Sequence, residues 1–60
     1  MYKVGDRFKE YGRGWAMYWE IIEKKITPGG NLYTLQNTKL TYNIIEDISE
    51  DCLTVKYIKL

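Results

Sequence analysis

The stretch "MYWEIIEKKITPGGNLYTLQN" at 17–37 limits the fold more than any other part of the chain. Met17, Trp19 and Ile21 fall on one side of an extended backbone and Tyr18, Glu20, Ile22 and Lys24 on the other, which is the period of a strand and not of a helix. Its β-branched and aromatic content favours the same conformation. "TPGG" at 27–30 then reverses the chain. Pro28 presets φ at the first central turn position, and Gly29 is expected to take the positive φ that a type II turn needs at the second. "LYTLQN" returns with Tyr33 and Leu35 opposed to Leu32, Thr34 and Gln36, so the segment is expected to form a hairpin with one apolar face.

The flanking segments read as further strands. "KVGDRFKE" places Val4 and Phe8 on one face, with Gly5 marking a bend. "TYNIIED" offers two registers, Tyr42 with Ile44 or Asn43 with Ile45. "VKYIKL" closes the chain, and between these two "ISEDCL" predicts one helical turn, with Ser49 capping free amides and Glu50 and Asp51 beside the positive end of the helix dipole. The expectation is an all-β domain of five short strands in a small antiparallel barrel, with one helical turn before the last strand. With 60 residues there is one domain, 1–60. A chain this short buries only about 60% of its unfolded surface and has nothing left for a second core. An apolar share of 45%, with six Tyr, two Trp and one Phe, makes that core available without disulfides.

Catalysis is disfavoured by what the chain lacks. It has no His, and Cys52 has neither an imidazole to activate it nor a second thiol with which to share a metal, so no metal or cofactor is expected. Between acids and a leucine, Cys52 reads as a small core hydrophobe. The acidic patch Glu46, Asp47, Glu50 and Asp51 lacks the length and the glycine of a calcium loop. Its carboxylates suit a strand end and a capped turn, with mimicry of a phosphate row as a minor alternative. A single cysteine and a start "MYKVGDRF" without an apolar run point to a cytoplasmic protein with no membrane association. A net charge of +1 gives little general attraction to nucleic acid.

"EYGRGW" at 10–15 belongs to no strand pattern. Trp19 is assigned to the core by parity, whereas Tyr11, Arg13 and Trp15, together with the outward Tyr18, form the candidate partner-binding set. Arg with Tyr and Trp is the residue mix of interface hot spots, and equally of a platform for stacking bases or holding a cation. The competing reading has Trp15 folding back as a lid over one end of the barrel. Lys24 and Lys25 are most simply read as charges that discourage edge pairing.

Five strands, a loop after the first and a helical turn before the last resemble the layout of an SH3-like barrel. "YKVGDRF", "YTLQN" and "ISEDCL" before "YIKL" resemble the small SH3-like proteins of phages and mobile elements of Gram-positive bacteria. The resemblance implies a non-catalytic binding module whose first loop flanks the ligand groove, and a phage-type accessory or host-directed inhibitor (anti-defence) protein acting by protein-protein contact. Two alternatives stand beside it: a nucleic-acid-binding barrel using Lys3, Lys9, Arg13, Lys24 and Lys25, and a structural subunit of a small homo-oligomer. Unpaired strand edges and surplus tyrosines lead to the expectation of a homodimer.

Overall fold

The computed structural model describes residues 1–12 and 14–60. Along the chain run β1 (Arg7–Glu10), β2 (Tyr18–Thr27), β3 (Gly30–Asn37), β4 (Ile44–Ser49), the helix α1 (Glu50–Lys56) and β5 (Tyr57–Lys59). The strands make one antiparallel sheet in the order β4-β3-β2-β1-β5. β1 to β4 follow one another as a meander, and β5 returns to pair with β1, setting Ile58 opposite Lys9. The sheet is not closed. β4 and β5 are its edges, and no ladder joins them among the described residues. With only three residues in β5, the space is occupied by α1, which packs against β3, β4 and β5.

One face of this sheet carries the core. Cross-strand partners point to the same side, so Phe8 with Trp19, Ile21 with Leu35 and Tyr33 with Ile48 form stacked inward pairs. Leu53 of α1 completes the cluster, while Tyr2, Ile45, Cys52 and Tyr57 pack around it. Burial of each large side chain contributes about 1.5–3 kcal/mol relative to exposure. Met17, Trp19 and Ile21 are all buried, as the alternation predicts. The indole of Trp19 donates to Glu10 Oε1 at 2.6 Å, so its N–H does not enter the core unpaired.

Tyr33 ties the layers together. It is fully buried, and its hydroxyl donates to Glu50 Oε1 at 2.6 Å in the first turn of α1. Burial, reinforced by the Glu50 carboxylate, raises the phenol pKa, while the Tyr33 hydroxyl and the Asn31 amide lower that of Glu50. Tyr2 sets its ring edge-on to Phe8 at 4.9 Å and to Tyr33 at 5.9 Å.

Several local expectations are corrected. β1 begins only at Arg7, because Gly5 (φ +97) turns the chain and leaves Val4 exposed. A bulge in β2 between Ile21 and Glu23 shifts the parity, so Lys24 stands opposite Tyr33 and not on the outer face. Its ammonium lies 5.9 Å from the Tyr33 ring and donates to the Tyr2 carbonyl. In β4 the inward positions are Ile45 and Ile48, three apart, with a second register shift between them and Asp47 at φ +57. The helical segment spans seven residues and takes Val55 and Lys56 from the predicted last strand. Ser49 accepts from the Cys52 amide, and the acids at the first turn and Lys56 at the last both suit the helix dipole. In the β2–β3 turn the positive φ belongs to Gly30 (φ +127) and not to Gly29, so the turn is not type II.

That turn generates a first prediction. Gly30→Ala should cost about 1–2 kcal/mol, because a side chain resists that φ, whereas Gly29→Ala should be nearly neutral. Urea unfolding followed by circular dichroism compares them, and equal losses would refute the assignment. A second prediction concerns pH. Because Glu50's folded pKa lies below its unfolded value, its bonds stabilise above the ordinary glutamate range and are lost as pH falls through the depressed value. Tyr33→Phe should flatten the loss of unfolding midpoint over that window. Parallel curves for the two proteins would contradict the linkage.

Candidate functional site at the loop end

Two connections leave the sheet at the same end, the β1–β2 loop at 11–17 and the β3–β4 connection at 38–43. The Glu10 amide donates to the Met17 carbonyl at 2.8 Å and closes the first loop. The Thr38 amide donates to the Tyr18 carbonyl at 3.0 Å and ties the second beside it. Asn37 holds both. Its side chain is 1% exposed; Nδ2 donates to the Ala16 carbonyl at 2.9 Å, and Oδ1 accepts from the amides of Lys39 and Leu40 at 2.9 and 2.8 Å. The Asn37 backbone amide donates to the Asn43 carbonyl across the base of the second loop. A buried amide so fully bonded fixes loops that few apolar contacts would hold.

On this base stand the large side chains that the core does not use. Tyr11 is 63% exposed, Trp15 65%, Tyr42 78% and Tyr18 43%. Trp15 does not fold over the core as a lid; the Lys39 ammonium sits 5.7 Å from its ring centroid, within the range of a cation–π contact. Tyr18 lies on the outer face in a cross-strand row with Lys9 and Ile58. The structure thus brings the predicted Tyr11, Trp15 and Tyr18 to one end. Arg13, predicted with them, lies outside the described residues.

The predicted basic set is dispersed. Lys9 is beside Tyr18, but Lys24 lies six positions further along β2, roughly 20 Å at strand rise. Lys25 is paired with Asp47 at 3.2 Å, a bond that with the neighbouring acids raises its pKa, and Lys3 belongs to the turn that its amide closes on Asp6. Of the acidic patch, Glu46 and Asp47 stand mid-β4, between Ile45 opposite Leu35 and Ile48 opposite Tyr33, and Glu50 and Asp51 lie at the opposite end. There Leu32 pairs with Ser49, and Glu50 and Asp51 line a shallow cavity with Gly29, Gly30 and Asn31. Asp47 and Glu50 are engaged by Lys25 and Tyr33. Among the described residues no group of three His, Cys, Asp or Glu could hold a metal ion, and no helix is long and apolar enough to cross a membrane.

Sequence reasoning missed Asn37, Lys39 and Tyr42. An asparagine at a strand end followed by Thr-Lys is a signal for a side chain that bonds its own backbone two residues on, which is what Asn37 does. No family model, no curated protein and no solved structure matches the chain.

Asn37→Ala should leave two amides and one carbonyl unpaired at the base of the loops and destabilise the protein by roughly 2–4 kcal/mol. Hydrogen exchange at the Lys39 and Leu40 amides should lose protection first. Unchanged protection there would remove Asn37 from its organising role.

Proposed function

We propose that the chain is a non-catalytic binding module that recognises a protein through its loop end, and that its open sheet is an SH3-like barrel with one side filled by α1. The observation that carries this reading is the exposure of Tyr11, Trp15, Tyr18 and Tyr42 around a base pinned by buried Asn37. Phe8, Trp19, Tyr33 and Leu53 belong to the core, and none of these four exposed rings does. Rigid aromatics on a fixed scaffold lose little entropy on binding and are the side chains on which interface energy concentrates. The strand order and the helix ahead of the last strand agree with an SH3-like layout. Absence of His and the isolation of Cys52 disfavour an enzyme. A phage-type accessory protein that inhibits a host component by occupying it, as the sequence resemblance implies, fits such a surface.

A photo-crosslinking residue placed at position 11 should capture a protein from a Gram-positive host lysate, and the same residue at position 55, on the exposed side of α1, should not. Trp15→Ala should then weaken binding of the captured protein by about 2 kcal/mol in calorimetry. Capture from position 55 in preference to 11, or unchanged affinity in both Trp15→Ala and Tyr11→Ala, would overturn the reading.

A further inference from the structure

We propose that the partner segment bound at the loop end is an extended, acidic stretch of protein, its carboxylates meeting Lys9 and Lys39 and an apolar side chain lying against Trp15. This inference rests on the loop end being the protein-binding surface and adds the chemistry of what it binds. A net charge of +1 conceals a separation that topology makes. Glu50 and Asp51 lie where β4 ends and α1 begins, with the length of β3 between them and the loops, while Glu46 and Asp47 stand mid-β4, Asp47 paired with Lys25. At the loop end Lys39 and Lys9 make no ion pair among the described residues. Of the carboxylates nearest in register, Glu20 is paired with Arg7 Nε at 3.2 Å, whereas Glu10 accepts from the uncharged Trp19 indole and keeps its charge. Against Lys9 and Lys39 stands the one carboxylate of Glu10, so the described charges of that end leave a positive surplus that steers an acidic segment toward it.

Spacing favours an extended chain. The row from Lys9 through Tyr18 to Thr38 crosses three neighbouring segments, roughly 10 Å at sheet spacing, about the length of three residues of extended backbone. Nucleic acid fits less well. Two lysines without an ion pair among the described residues neutralise about two phosphates, which gives little affinity at physiological salt.

The test uses a short synthetic peptide in which Glu and Asp alternate with Leu and Phe, its Gln/Asn counterpart, and single-stranded oligothymidylate, titrated by calorimetry at low and physiological salt. The acidic peptide should bind about tenfold or more tightly than the neutral one at low salt, with the advantage shrinking as salt rises. Lys39→Gln and Lys9→Gln should each remove several-fold of the acidic peptide's affinity and leave the neutral peptide's unchanged, while Trp15→Ala should weaken both. Retained amide protection at Lys39 and Leu40 shows that the variants are folded. Equal binding of the two peptides, or no binding of either while crosslinking from position 11 persists, overturns the acidic assignment and leaves the protein-binding surface standing. Tighter binding of oligothymidylate than of the acidic peptide assigns the surface to nucleic acid and overturns it as well. Loss of crosslinking from position 11 overturns both readings together.

Discussion

A tyrosine hydroxyl buried in a domain of 60 residues must find an acceptor or cost the fold a desolvated polar group, and the Tyr33–Glu50 bond meets that demand. Glu50 is also the first residue of α1, directly after the Ser49 cap, so satisfying Tyr33 anchors the first turn of the helix to the sheet. From that start the helix brings Leu53 onto the core and releases the chain at Tyr57, level with Glu10 of β1. The Tyr33–Glu50 bond thus helps to place the helix that delivers β5 to its pairing with β1. No buried side-chain polar atom among the described residues lacks a partner, which shows how closely this small core is accounted for.

The hairpin and its inward residues were legible in the sequence because alternation reports directly on a half-buried strand. Trp19, Ile21, Tyr33 and Leu35 fell where parity put them. Parity failed where a bulge inserts a residue, after Ile21 and again between Ile45 and Ile48, because counting by twos assumes an unbroken ladder. Lys24 changed sides for that reason. The helix length was misjudged because "VKYIKL" alternates plausibly as a strand, while the cap at Ser49 and burial of Leu53 commit Val55 and Lys56 to the second turn. Gly29 and Gly30 are adjacent, and only the backbone distinguishes which carries the unusual φ.

For the candidate site, Tyr11 and Trp15 stood out because no strand pattern could use them. Lys39, Tyr42 and Asn37 did not, since the register across β2 and β3 is what brings their connection beside the first loop, setting Asn37 on Ala16 and Lys39 on Trp15, and a pairing between positions more than twenty apart leaves no local periodicity. The organising residue of the site is thus a polar one that a search for apolar positions passes over.

The two tryptophans occupy opposed environments. Trp19 is enclosed and bonded to a carboxylate; Trp15 is open to solvent beneath an ammonium group. The protein therefore carries two intrinsic fluorophores with separate duties. A collisional quencher reaches Trp15 and spares Trp19, and because Lys39 stands over the accessible ring, iodide meets it more often than caesium does. Emission from Trp19 follows the integrity of the sheet, while the anion-selective part of the quenching follows occupancy of the loops, so folding and binding can be read in one cuvette without a label.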